Sequence, residues 1–500
     1  MKKNYSKLSI VALALIVAGC CEFDTDAGSS PVAYNVIYDE AAMLVSGQSG
    51  NKFSDFADNP FVATNLQPTS TFSVDADGAS YAIMRKCLHN GLKVNKSSVR
   101  IEEYLNYFTF GYPQPVDSNS VAINAEVGQC PWNPTHKLLR LGLKGKELKE
   151  NEIPLANYVF LVDVSGSMDS SDKLDLLKKG LKEMLHQLRP DDRISLITYS
   201  GEVEKLLEST PVSEISKIER AIDKLKAEGC TNGGDALKMA YEEALANYDA
   251  KKNNRIIMGT DGDFNVGVTS TEALVEMVKG YAKKGIYMTC LGFGYDNLND
   301  AMMEKISNSG NGSYNYIDSE EEMMKVFVYD RERFVSVAND VKCQITFDST
   351  LVSQYRLIGY ENRVMSKEDF VDDTKDASEI GAGQTVTALY ELVINNDTTL
   401  ETDTSLGSNA VFVTFDCRYK KSLDGASIPL QLKLTSDDFL NKITSSPDFH
   451  FAAGVAAYGM LLRESPYKGD ATIDMARQLV EQGLRFDPQG RRAALLKLMK

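Results

Sequence analysis

The sequence predicts an α/β protein. A mainly parallel sheet, covered by helices on both faces, follows a smaller α+β region and precedes a β-rich region with a helical tail. Three observations carry this. Residues 155–334 alternate short apolar runs with amphipathic stretches, the pattern of strands and helices in a parallel sheet. The run Tyr158–Val162 is short, unbroken, and rich in β-branched and aromatic residues, so it reads as a strand buried on both faces. After Phe334 the helical stretches give way to strand-like runs separated by charged or Gly-rich turns.

The amino terminus comes first. Lys2 and Lys3 precede an apolar run from Leu8 to Ala18, then Gly19-Cys20. A basic start, a short apolar core and small residues at a cleavage point make a secretory signal over 1–20. The run is short for a transmembrane helix. Val17-Ala-Gly-Cys20 looks like a bacterial lipobox, which would make Cys20 the lipidated first residue of the mature chain; an ordinary signal peptide cut nearby is the alternative. Residues 21–67 are mixed, small-residue-rich and acidic at their start, and read as a flexible tether.

Residues 68–150 form the predicted amino-terminal region. Pro68–Asp75 reads as a strand, Ala79–Asn90 as a helix stopped by Asn90-Gly91, and a second helix starts at Ser97. Asp75-Ala-Asp77-Gly78 has the outline of a calcium loop but lacks a bidentate Glu at the right offset, so a turn is expected. Two β runs, Val121–Val127 and Leu138–Leu143, flank Cys130-Pro-Trp-Asn-Pro134. Trp132 is expected to cover an apolar edge; His136 has no metal-ligand-type partner nearby in sequence.

The central domain is expected over 151–335. Strands are predicted at Arg193–Tyr199, Arg255–Met258, Ile286–Phe293 and Tyr314–Ile317, with helices at Leu174–Leu188, Ile215–Leu225, Gly234–Tyr248, Thr271–Lys284, Asp300–Ser309 and Glu320–Phe334. Residues 336–500 supply five strand-like runs and two helices, Phe449–Arg463 and Ile473–Leu484. The Val121–Leu143 runs either stand with the amino-terminal region or join these strands, which would make the central domain an insertion.

Composition narrows the function. Five hundred residues at 43% hydrophobic allow more than one core. The net charge of −16, without a clustered Lys/Arg stripe, argues against nucleic acid as partner. Beyond Cys20 and Cys21 the cysteines are Cys87, Cys130, Cys230, Cys290, Cys343 and Cys417, widely spaced and expected to be mostly unpaired structural thiols.

The chemistry concentrates after Val162. Asp163, Ser165 and Ser167 place three oxygen-bearing side chains at alternate positions where a buried strand ends. Such small oxygen ligands suit a hard divalent cation, and one strand cannot complete its shell. Thr231 opens the helix after Gly229, and Asp261 follows the strand Arg255–Met258; both can converge on the same sheet edge. Alone, Asp-x-Ser-x-Ser could be a helix N-cap. A phosphatase built on an acidic pair needs a second Asp where Ser165 stands.

The order Asp163-x-Ser165-x-Ser167, then Thr231, then Thr260-Asp261-Gly262 resembles the metal-ion-dependent adhesion site of von Willebrand factor type A domains. The resemblance implies a Rossmann-like domain. It also implies that Ser165, Ser167 and often Thr231 touch the ion, that Asp163 and Asp261 act largely through water, and that a partner's Asp or Glu carboxylate completes the shell. Mg2+ is the expected ion, with Ca2+ or Mn2+ as alternatives. The segments Thr71–Asp75, Arg100-Ile-Glu-Glu103, Asn106-Tyr-Phe108, Cys130–Asn133, Tyr355–Arg363, Glu379–Gly383 and Leu461–Lys468 extend the likeness to bacterial YfbK-type lipoproteins over nearly the whole chain.

The expected function is therefore a lipid-anchored cell-envelope binding protein, placed at the outer membrane and held there by its lipid alone. Its partner would be a protein presenting a carboxylate. No enzymatic activity is expected: the four histidines lie away from the metal-site motifs, and Gly-x-Ser-x-Gly is absent around Ser165. A metal-dependent hydrolase and a structural scaffold of the envelope are the alternatives.

Overall fold

A computed structural model describes residues 50–229, 233–262, 271–395, 410–435, 438 and 445–499. Before the central block come strands β1 (Val62–Ala63) and β2 (Thr69–Ser73), helices α1 (Ala79–His89) and α2 (Ile101–Asn106), and strands β3 (Val121–Gln129) and β4 (His136–Gly145). The block itself runs β5 (Ala156–Asp163), α3 (Leu174–Leu185), β6 (Arg193–Tyr199), β7 (Val203–Pro211), α4 (Ile215–Asp223) and α5 (Gly234–Ala246). It continues through β8 (Asn253–Thr260), α6 (Thr271–Ala282), β9 (Ile286–Phe293), α7 (Asp300–Ser309), β10 (Tyr314–Ile317) and α8 (Glu320–Met324). After it come β11 (Ser336–Phe347), β12 (Val352–Ile358), β13 (Val364–Met365), β14 (Ile380–Gly381), β15 (Thr385–Ile394), β16 (Val411–Lys420) and β17 (Ile428–Thr435). Helices α9 (Pro447–Arg463), α10 (Ile473–Gln482) and α11 (Arg491–Leu498) close the chain.

The central sheet has the order β10-β9-β8-β5-β6-β7, parallel throughout except for β7. Successive side chains of β5 enter opposite cores: Phe160 and Val162 pack with α3, Val159 and Leu161 with α5. That two-sided burial is why the strand is continuously apolar. β7 escapes the sequence reading because it is an edge strand. It pairs only with β6 across a register shift, and its Glu204, Lys205 and Glu208 leave no apolar run to read. The stretch Glu320–Phe334, expected as one helix, leaves the α form at Met324 and continues as a π turn and a 3-10 turn.

The flanking segments fold together. One sheet has the order β1-β12-β15-β4-β3, the other β13-β2-β11-β16-β17, with β14 beside β11. Each mixes strands from before and after the central block: β4 pairs with β15, and β2 with β11. Their facing sides share one core that includes Phe72, Leu141, Ile345, Tyr390 and Phe415. The outer face of the first sheet is covered by α2, α9 and α10 around Leu138, Leu389 and Phe449. Trp132 lies in this second core, 1% exposed, and donates from Nε1 to Glu391 Oε2 at 3.1 Å. His136, which sequence neighbours leave unpartnered, meets the same Glu391 at 2.6 Å through Nδ1.

Three expectations need correction. Residues 50–67 are not tether: β1 pairs with β12, Asn59 Nδ2 donates to Gly359 O at 2.8 Å, and Thr64 is buried. A two-residue strand held by side-chain bonds is too short to show a period. The central block is not closed by residues 151–335 alone, because Ala79, Ala82 and Ile83 of α1 complete its core. The tail has a third helix, α11, beyond the two expected; Gly490, with φ +71°, turns the chain into it. The ends of the central block meet at Asn253, whose backbone N–H donates to Leu155 O (2.8 Å) while its Nδ2 donates to Phe334 O (2.9 Å).

A buried ionic layer joins the block to the flanks. Arg100, 2% exposed, bonds Asp300 and Glu103, and Arg363 bonds Asp75 at 2.8 Å. Asp75 Oδ1 accepts the Asp77 backbone N–H at 2.9 Å, which makes the Asp75–Gly78 segment the expected turn. Cys87, Cys130, Cys290, Cys343 and Cys417 are free and buried, as read from their spacing; Cys20, Cys21 and Cys230 lie outside the described residues. Among the described residues no helix is long and apolar enough to cross a membrane.

Candidate functional site

β5 is the strand from which the chain moves to β6 on one side and later to β8 on the other. Parallel sheets bind ligands at the carboxyl ends of strands at such a switch point. Asp163 is the last residue of β5, and Asp261 is the first after β8. Both are buried, at 0% and 1% exposure. Ser165 N–H donates to Asp163 Oδ1 (2.9 Å), and Thr260 Oγ1 donates to Asp163 Oδ2 (2.9 Å), which fixes both oxygens of that carboxylate. Ser165 and Ser167 bring their hydroxyls to 3.0 Å.

The loops that hold this arrangement are tied by backbone. Gly166 N–H donates to Gly229 O at 3.0 Å, and Glu228 N–H to Val164 O at 2.7 Å, so the segment leading to Thr231 is anchored beside the serines. Gly262 has φ +94°, and a Cβ there would stand 2.3 Å from Asn299 N. Only glycine lets the chain turn away after Asp261 that closely. Burial pushes the Asp163 carboxyl up to about 6; the Asp261 charge adds to this, and the bonds from Ser165 and Thr260 oppose it.

Four of the five residues expected to serve a cation, Asp163, Ser165, Ser167 and Asp261, thus gather at one sheet edge. Thr231 lies outside the described residues, as does Cys20. Among the described residues the donor set fits a hard divalent ion: two facing hydroxyls and two buried carboxylates, all oxygen. Two contributors were not legible. Thr260 anchors Asp163, and Lys173 places its amine 3.0 Å from Asp261 Oδ2 and 2.8 Å from Ser167 O. A lone Lys within Asp169–Asp175 looks like surface charge in sequence.

A second acidic group competes for attention. Carboxylate oxygens of Asp75, Glu103 and Glu304 lie within 4.8 Å of one another. Arg363 Nε reaches Asp75 Oδ2 at 2.9 Å, and Arg100 Nε lies 3.4 Å from Glu304 Oε2. Two guanidinium groups already supply the positive charge, so these acids are the ionic layer between the block and the flanks. The centre at Asp163 is the better cation seat.

A family model described as von Willebrand factor type A domain matches residues 158–263, and one described as von Willebrand factor matches 47–140. A third, the carboxyl-terminal region of uncharacterized protein YfbK, matches 332–500. Uncharacterized protein YfbK of Escherichia coli is 36% identical over 469 residues, covering 90% of this chain and 80% of its own. The chain belongs to the YfbK family. Its Asp75, Arg100, Glu103 and Arg363, quoted above for the likeness to that family, are the residues of the ionic layer. Outside the family, inter-alpha-trypsin inhibitor heavy chain 4 of mouse is 29% identical over 202 residues, 38% of this chain and 21% of its own. A von Willebrand factor type A structure from Catenulispora acidiphila covers 77% of this chain and 91% of its own, at 14% identity and a TM-score of 0.46. Type A domains commonly mediate protein–protein interactions, and the domain here is of that class.

Proposed function

We propose that this protein is a cell-envelope lipoprotein, anchored through Cys20 at the outer membrane, that binds a protein partner through a divalent cation, most simply Mg2+. The observation that carries the reading is the pair of facing hydroxyls, Ser165 and Ser167, set before the buried carboxylates of Asp163 and Asp261 at the switch point of the sheet. Ser165, Ser167 and Thr231 would hold the ion directly, and Asp163 and Asp261 would hold it through water. When bound, the ion supplies a Lewis-acidic position for an Asp or Glu carboxylate of the partner. The neutral serines leave that position short of negative charge, so a carboxylate is the ligand it favours.

Calorimetric titration of Mg2+ tests this. Wild type is expected to bind one ion, and Asp163→Ala none, with circular dichroism unchanged between them. Equal binding by the two folded proteins sinks the metal reading. Affinity capture from an envelope extract with and without chelator then tests the partner: a protein captured only in the presence of the ion is expected.

A further inference from the structure

Lys173 stands one residue before the first residue of α3 and points back into the centre. Its side chain is 8% exposed. Its amine donates to Ser167 O at 2.8 Å and to Asp261 Oδ2 at 3.0 Å. The stem is held as firmly as the head. It runs over Gly294, which has φ +69°, and a Cβ at Gly294 would stand 2.2 Å from Lys173 Cε. A glycine at the end of β9 therefore makes the channel through which the lysine reaches the site. Among the described residues the centre contains two carboxylates, Asp163 and Asp261, and one ammonium, that of Lys173, placed between an aspartate and a serine that both belong to the proposed cation seat.

We propose that Lys173 is a fixed counter-charge of the centre that trades cation affinity for anion affinity. The argument rests on the cation reading above. With two carboxylates and no lysine, the charge of a divalent ion would be fully balanced. With the lysine present, one unit of positive charge remains once the ion is held. In a buried setting that unit repels the ion and attracts a carboxylate, and both effects fall off slowly with distance. A merely structural lysine, holding Asp261 in place for the ion, makes the opposite prediction for the metal.

The test uses the full chain with Lys173→Met, which keeps the stem over Gly294 and removes the charge, and Lys173→Gln as a second neutral variant should the first fail to fold. Mg2+ is titrated by calorimetry into each. Acetate is then titrated into each protein saturated with Mg2+. Loss of the charge is expected to tighten Mg2+ by at least about tenfold and to weaken acetate by a similar factor. Unchanged or weaker Mg2+ binding by both neutral variants overturns the proposal while leaving the cation reading intact. Failure of wild type and both variants to bind Mg2+ at all overturns both together. Binding by the neutral variants alone supports the lysine's role and shows the wild-type centre to be held empty by it.

Discussion

Arg100 donates through Nη1 and Nη2 to the two oxygens of Asp300, at 2.6 and 3.0 Å, across 200 residues of sequence. Arg100 precedes α2 in the flanking layer, and Asp300 begins α7 of the central block. The same arginine bonds Glu103, whose other oxygen accepts the Ser80 backbone N–H at 2.7 Å. One guanidinium thus orders three elements from both sides of the boundary.

Arg100→Met should therefore be strongly destabilising. It leaves Asp300 and Glu103 buried without their cation, a loss on the order of 3–5 kcal/mol. Arg100→Lys should recover only part of it, because an ammonium cannot bond both Asp300 oxygens in one plane. Urea unfolding of the three proteins checks this. A loss under about 1 kcal/mol for the methionine variant contradicts a buried network of this kind.

Glu102 gives the protein a pH dependence. It is 1% exposed, and burial pushes its carboxyl up to about 8, with the charges of Glu361 and Asp75 adding to the effect. In the unfolded chain the group titrates near its ordinary value of about 4.3. The folded state thus keeps a proton that the unfolded state has lost, and stability falls as pH rises from about 4.5 to about 8. Glu102→Gln removes this contribution. Its melting temperature should drop less than that of wild type between pH 5 and pH 8; equal drops would place the titration elsewhere.

Gly262→Ala should damage both fold and centre. The alanine meets Asn299 N and must hold a left-handed φ, a strain of about 1–3 kcal/mol. Because Gly262 follows Asp261 directly, Mg2+ affinity should fall as well, unlike the effect of a core substitution of equal cost. Paired denaturation and Mg2+ titration separate the two.

Cys20→Ala should move the protein from the membrane to the soluble fraction when cells are fractionated, and the wild type alone should incorporate labelled fatty acid. A variant that fractionates with the membrane as before removes the lipid from the account.

What could be read without the structure follows from range. The strands of the central sheet announce themselves because burial on both faces writes an apolar run into consecutive residues. Asp163, Ser165 and Ser167 are legible because they share one turn, and Asp261 because it follows another buried strand. β7 and β1 lack such a run, since an edge strand pairs on one side only. The joining of Arg100 to Asp300, of His136 to Glu391, and of Lys173 to Asp261 depends on folding, and no local pattern encodes which distant carboxylate a cation will meet. The split into 68–150 and 336–500 fails to describe the sheets for the same reason: β4 finds its neighbour β15 only in space.

The meeting of Leu155 and Phe334 at Asn253 bears on how the two halves of the sandwich find each other. β4 and β15 can zip together only after the chain between them has been made, and closing so long a flexible loop is slow and entropically costly. A folded central domain removes that burden. Once its strands associate, its entrance and exit are pinned side by side, and β4 and β11 leave it as two short arms from one point. The inserted domain therefore works as a clamp on the sandwich around it: by holding its own entrance and exit together it shortens the effective loop that the pairing of β4 with β15 must close.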